Sequence, residues 1–303
     1  MKILDFHVHF FSRPYFEALA AQSPLPGTVA ERLARVAERT GIEIPPPDLD
    51  RHRERWVAEL DRHDVERMAC FASAPEETPS VAEACAKSDG RLVPFALVNP
   101  KVDGVAERVA KLIDEKGFRG VLLFPALHHY KISDAACEPL LRVLGERKAI
   151  AYVHCGLLIV KLRDLLQLPR TIDIQYANPL ELIAAANKFP NVQFVIPHFG
   201  AGFFRETLFA GAQCPNVFVD TSSSNSWLAT QPAPLALKDV FARALGVFGP
   251  KRILFGTDSN TFPAGWRRDR YDEQQAALSA IGASVEIQAA IFAENARRLL
   301  ARP

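Results

Sequence analysis

Short apolar runs alternate with longer amphipathic stretches along nearly the whole chain. The runs predict strands over 2–9, 67–72, 92–98, 119–124, 149–154, 192–198, 217–221 and 252–257. Between them, apolar positions three and four residues apart predict helices over 51–62, 80–87, 105–116, 135–147, 179–189, 203–213 and 235–248. Two more, over 272–281 and 284–301, follow the last strand. Several strands are apolar on both faces, as in Val121-Leu122-Leu123-Phe124 and Ile253-Leu254-Phe255. That pattern marks parallel strands buried on both sides. Repeated strand–helix alternation predicts an α/β fold, a TIM (β/α)8 barrel formed as one domain over 1–303. An open doubly wound sheet is the rival, but no GxGxxG follows any strand.

Two connections are too long for plain barrel loops. Residues 10–50 follow the first strand and carry Pro14, Pro24, Pro26 and the run Pro45-Pro46-Pro47; residues 155–178 follow the fifth. In a barrel both rise from the C-terminal face, so they are expected to act as lid or specificity segments. Ser284 is placed to cap the last helix, and Asp103-Gly104 and Ser133-Asp134 mark turns.

The chain has 303 residues, 49% of them apolar, and a net charge of +1. That balance gives no support to a nucleic-acid partner or a membrane surface. No apolar run approaches a bilayer span and the opening residues do not read as a secretion signal. Cys70, Cys85, Cys137, Cys155 and Cys214 are scattered without a CxxC pair, which suits a reduced, cytoplasmic setting.

The candidate chemistry sits at strand ends. His7 and His9 are two apart on the first strand and so share a face. His154, His198 and Asp258 close the fifth, sixth and eighth strands. In a barrel such residues converge on the axis, and imidazole with carboxylate suits one divalent metal: zinc, and also manganese, cobalt or iron. Each has a plainer reading. His9 could be a structural histidine, and Asp258 could cap a turn. His198 could bind metal or stand off as a general acid/base.

These motifs resemble the amidohydrolase superfamily, in the amidohydrolase-related branch that resembles aminocarboxymuconate semialdehyde decarboxylase. The matching segments are Asp5-Phe6-His7-Val8-His9, Phe118-Arg119-Gly120-Val121, Tyr152-Val153-His154-Cys155-Gly156, Pro197-His198-Phe199-Gly200, Asn216 to Ser222, Arg252 to Asp258, and Asn295 to Leu300, in family order. The resemblance implies one metal, usually zinc, held by His7, His9, His154 and Asp258, with His198 activating water. Many two-metal relatives carry a lysine or glutamate at the end of the fourth strand. Here that strand reads Val121-Leu122-Leu123-Phe124-Pro125, which favours a mononuclear site. His128-His129 follow, either approaching the site or lying in a solvated loop. A homodimer is common among relatives and is expected here.

For a substrate carboxylate the candidate cations are Arg13, Lys161, Arg163 and the pair Arg267-Arg268, each otherwise a solvated surface charge. Trp266, Trp227, Phe10 and Phe11 could wall an apolar pocket or pack within loops. Asp220 could support a ligand histidine or cap a turn, Cys155 should point away from the site, and His52 and His63 should face solvent. The leading expectation is hydrolysis of a small carboxylate, lactone or amide by metal-activated water, with His198 and Asp258 handling protons. Non-oxidative decarboxylation of an aromatic or unsaturated acid is the alternative. A non-catalytic metabolite- or metal-binding barrel is the rival of another class.

Overall fold

A computed structural model describes residues 2–222 and 225–301. Its strands are β1 (Ile3–His9), β2 (Val65–Ala72), β3 (Leu92–Val98), β4 (Gly120–Leu123), β5 (Ile150–Val153), β6 (Gln193–Ile196), β7 (Val217–Asp220) and β8 (Ile253–Leu254). They run parallel in the order β1 to β8. The seam between β8 and β1 is closed by Phe6 N–H to Phe255 O at 2.8 Å, His9 N–H to Ser259 O at 2.9 Å and Asp258 N–H to His7 O at 3.0 Å. Helices alternate with the strands, so the architecture is the α/β TIM barrel expected. No helix among the described residues is long and apolar enough to cross a membrane.

Strand alternation divides the core in two. Leu4, Phe6, Phe71, Phe95, Leu122 and Tyr152 fill the barrel, while Ile3, Val8, Cys70, Val121 and Val153 pack outward against the helices. In β1 the phase changes midway. Asp5 faces Met68 and Val8 faces Cys70, so β1 uses one more residue than β2 over that stretch. Such a bulge resets the side-chain alternation. Without it His7 and His9 would share the outward face of Ile3 and Asp5; with it they turn into the barrel mouth above Phe6.

The first long connection is more ordered than its prolines suggest. It contains helix α1 (Arg13–Ala21) and helix α2 (Val29–Thr40). Thr28 and Glu31 form a reciprocal capping box for α2, and Gly41 ends it at φ +72°, a conformation in which a side chain is strained. Tyr15, Phe16 and Leu19 of α1 and Leu33 and Val36 of α2 form a small core with Leu166 and Leu168 of the second long connection. The Ser23 hydroxyl donates to Leu166 O at 2.6 Å. The two connections therefore build one cap.

Helix α3 (Leu49–Arg62) begins earlier than expected because Asp48 accepts the Arg51 N–H. His52 on α3 does not face solvent: it is buried, and its ring is 2.9 Å from Phe10 O. An imidazole N–H satisfies a strand carbonyl there, and burial pushes its pKa down. His63 ends the helix half-buried beside Glu59 and Trp266. The last helix is interrupted by a π turn over Ala290–Glu294. The turn frees Ile291 O to accept Phe255 N–H at 3.1 Å, which supports the two-residue β8 from below.

Candidate metal centre

His7 and His9 stand at the end of β1 and Asp258 just past β8. His7 Nε2 and His9 Nε2 lie 3.4 Å apart, and Asp258 Oδ1 lies 3.6 Å and 3.4 Å from them. Ligands held about 2.1 Å from one centre at tetrahedral angles sit about 3.4 Å from each other, so the spacing fits one cation. The hydrogen bonds on the far nitrogens fit as well. His7 Nδ1–H donates to Asp220 Oδ2 at 2.8 Å, and His9 Nδ1–H donates to the Ser73 hydroxyl oxygen at 2.6 Å. Each ring then presents the bare Nε2 to Asp258, the tautomer that a metal requires.

At His7 the local field favours positive charge, whereas burial lowers the His9 pKa. Burial alone would lower the His7 pKa, but the charge and hydrogen bond of Asp220, with Asp258 and Asp5 beyond, raise it overall. Burial pushes the Asp258 carboxyl up, yet the bond to His9 and the neighbouring imidazoles hold it below the usual carboxylate range. Asp258 also occupies the left-handed region at φ +59°, held there by its N–H bond to His7 O. Such a conformation costs about 1–3 kcal/mol in a non-glycine residue and is kept only where neighbours fix it.

Gly256 shows how tight this seam is. A Cβ there would lie 2.8 Å from the Cβ atoms of both His7 and Ser222. Any larger residue pushes the first ligand strand off β8.

His198 follows β6 with φ +56°. Its N–H donates to Asp220 Oδ1 at 3.1 Å, and its Nδ1–H donates to Ser222 O at 2.9 Å. Nε2 is then the unprotonated nitrogen. Its ring centroid is 4.8 Å from that of His7 and 5.2 Å from that of His154. Burial, followed by the His7 charge, pushes the His198 pKa down to about 4. The ring is a neutral acceptor at pH 7.

Among the described residues two sets lie with their ligand atoms within 4.8 Å of one another: His7, His9 and Asp258, and His7, His198 and Asp220. The second set is a hydrogen-bonded relay rather than a second ion site, because Asp220 is already bonded to the far nitrogen of His7. His154 joins neither set at that spacing. It is buried, its Nδ1 has no hydrogen-bond partner, and burial and the neighbouring imidazoles push its pKa well down. An imidazole with an unpartnered Nδ1 beside His198 has the chemistry of a further ligand.

Four supporting residues were not assigned a role from sequence. Ser222 Oγ lies 2.8 Å from His7 Nδ1 and 2.9 Å from His198 Nδ1. The Tyr152 hydroxyl is 3.2 Å from His7 Nδ1. Ser73 holds His9, and buried Glu77 accepts the Ser73 N–H at 2.8 Å. Position offered a signal for two of them: Ser222 is two residues past Asp220, and Ser73 follows β2 directly. Asp220 itself takes both roles weighed for it, supporting His7 and accepting the Ser222 N–H at 2.7 Å.

The candidate substrate residues are dispersed. Arg13 bonds Glu17 at 2.7 Å, Arg163 bonds Pro169 O at 3.2 Å, and Arg267 grips Asp269 through two nitrogens. The bond to Asp269 raises the Arg267 pKa, with a smaller contribution from Asp258. Trp266, weighed as a pocket wall or as loop packing, is buried in the outer layer, and its indole N–H donates to Asp5 Oδ2 at 2.8 Å. Trp227 and Phe10 are buried in the same layer, as is Cys155, which points away from the site. Phe11 does reach the site: its ring stacks on His9 at 5.0 Å and on Tyr15 at 4.1 Å. The His129 ring bonds Thr171 O and stacks on Tyr176, which ties the loop after β4 to the cap. Neither His128 nor His129 enters a ligand set among the described residues.

A barrel with His and Asp donors converging at the C-terminal mouth defines a class of metal-dependent enzymes. Residues 4–302 match the family model described as amidohydrolase, and the chain belongs to that family. No curated protein sequence matches it. Among solved structures it is similar to 5-carboxyvanillate decarboxylase from Sphingomonas paucimobilis, at 13% identity and a TM-score of 0.67, covering 100% of this chain and 99% of the other. It is similar to an amidohydrolase from Burkholderia multivorans with bound zinc, at 16% identity and a TM-score of 0.66, covering 100% of both chains. It is also similar to a probable 2-pyrone-4,6-dicarboxylic acid hydrolase from Acinetobacter baumannii, at 14% identity and a TM-score of 0.62, covering 99% of both.

Proposed function

We propose that this chain is a mononuclear metal-dependent hydrolase acting on a small carboxylate-bearing lactone, ester or amide. The observation that carries the reading is the His198 ring, whose Nδ1–H is committed to Ser222 O so that Nε2 is a free base beside the His7, His9 and Asp258 cluster. Zinc is the first choice of ion, with manganese, cobalt and iron compatible with the same donors. A divalent cation at His7, His9 and Asp258, with His154 drawn in, would polarise a substrate carbonyl and make water acidic near neutral pH. His198 takes the proton from the attacking water at Nε2, and the Ser222 carbonyl steadies the imidazolium that results. Asp220 holds His7 and the His198 backbone in one frame, so the base and the ligands stay in register. The imidazolium of His198 then gives that proton to the leaving group, and the second oxygen of the ionised Asp258 can relay it. The cap over the mouth limits water, and Phe11, stacked between His9 and Tyr15, adds apolar surface beside the ligands.

Loss of carbon dioxide from an aromatic or unsaturated acid is the second reading. The likeness to a 5-carboxyvanillate decarboxylase is consistent with it.

The test combines metal analysis with a product assay. The purified chain is expected to hold about one transition metal. Incubated in ¹⁸O-water with a panel of lactones, amides and aromatic acids, it is expected to put label into a new carboxylate. Carbon dioxide release without label uptake would replace hydrolysis with decarboxylation. Absence of bound metal after reconstitution would overturn both.

A further inference from the structure

Glu77 is a carboxylate with no ordinary reason to be where it is. It is fully buried at the end of a short turn after β2, and among the described residues no lysine, arginine or histidine pairs with it. An unpaired buried carboxylate is costly, and an apolar side chain of similar size would usually serve stability better. Burial accordingly pushes its pKa up to about 7. A residue kept against that cost must supply something through its hydrogen bonds.

Those bonds reach two separate pieces of the site. Glu77 Oε1 accepts both the N–H of Ser12, at 2.5 Å, and its hydroxyl, at 3.0 Å. Glu77 Oε2 accepts the Ser73 N–H at 2.8 Å. Ser12 opens α1 without capping it, since its side chain is spent on Glu77. Directly before it Phe11 sits at φ +43°, a strained left-handed conformation, with its ring over His9 and Tyr15. Ser73 is the residue whose hydroxyl fixes His9 Nδ1.

We propose that Glu77 is a positioning residue that clamps the root of the cap to the end of β2, setting the His9 ring through Ser73 and the Phe11 ring through Ser12. One carboxylate thereby couples the seating of the cap to the orientation of a metal ligand. The inference rests on the proposed metal centre for its His9 arm alone. The Phe11 arm stands on the cap geometry.

The two arms separate by mutation. In Glu77→Gln one acceptor oxygen becomes an NH2 group, which must face either the Ser12 donors or the Ser73 N–H. Hydrogen exchange of the full chain is expected to quicken about tenfold or more over residues 11–16, while the helix at Phe204–Gln213 keeps its protection as an internal control. Chelator competition with Zn2+ is expected to show about tenfold weaker binding, the size of effect usual when a partner of a ligand histidine is lost. Ser12→Ala should quicken exchange over 11–16 and leave Zn2+ affinity nearly unchanged. Ser73→Ala should weaken Zn2+ and leave that exchange unchanged. These two variants decide the matter if Glu77→Gln does not fold. Wild-type exchange and wild-type affinity in Glu77→Gln, or equal effects of the two serine variants on both readouts, would overturn the clamp. If the wild type itself binds no Zn2+, the metal-centre reading fails, and the exchange data still judge the Ser12 arm.

Discussion

Asp220 Oδ2 lies 2.8 Å from His7 Nδ1, and the same carboxylate takes the His198 N–H on its other oxygen at 3.1 Å. One side chain at the end of β7 thus fixes the tautomer of a ligand and the placement of the base. Asp220→Asn keeps the shape and halves the acceptor capacity. Zn2+ affinity is expected to fall about 10–100-fold by chelator competition. An unchanged dissociation constant would mean that the ring is held by Ser222 and Tyr152 alone.

Much of this was legible in the chain. Eight apolar runs gave the barrel, and the strand-end position of His7, His9, His198 and Asp258 gave the cluster, because convergence at the barrel mouth follows from topology. The β1 bulge was not legible: a period of two says that His7 and His9 share a face, but not that the face is opposite to that of Ile3 and Asp5. Cap helix α2 carries a capping signal, Thr28-x-x-Glu31, but the prolines on either side make the segment read as a loop. His52 departs from its sequence context because a charged helix suggests an exposed face, whereas the acceptor that buries it, Phe10 O, is 42 residues away. Ser73 and Glu77 carry no motif. Their roles exist only once β2 stands beside β1.

Gly256 offers a test of how closely β8 must approach β1. Gly256→Ala puts a methyl group 2.8 Å from the Cβ atoms of His7 and Ser222. Overpacking of this kind costs about 1–3 kcal/mol. The variant is expected to unfold at lower urea and to hold metal less tightly, both measured on the same preparation. Full metal affinity in Gly256→Ala would show that the seam yields without moving His7.

His198 should separate binding from chemistry. His198→Asn removes the Nε2 base and leaves His7, His9 and Asp258 in place. Metal content is expected to stay near that of the wild type, while kcat on a hydrolysed substrate drops about 10²–10⁴-fold. Loss of metal in parallel with activity would instead make His198 a ligand.

The buried carboxyl of Glu77 should write itself into the pH dependence of stability. Its pKa is raised to about 7 by burial, from an ordinary value of 4.5 in the unfolded chain. Between those values the folded state binds the extra proton, so stability falls as pH rises through the window. Its contribution is fully present below about pH 4.5 and lost above about pH 7. Asp5, raised by burial to about 6, acts in the same direction over a lower range. His198, lowered to about 4, acts oppositely and favours the fold as pH rises toward 6.5. The net curve therefore mixes signs, and subtracting the Glu77→Gln variant isolates one group. Urea denaturation of metal-stripped protein at fixed salt should give a wild-type minus Glu77→Gln stability difference that falls from pH 5 to pH 8. The total is on the order of 3 kcal/mol at 1.36 kcal/mol per pKa unit. A flat difference would mean that Glu77 keeps an ordinary carboxylate pKa, its charge compensated by the donors of Ser12 and Ser73.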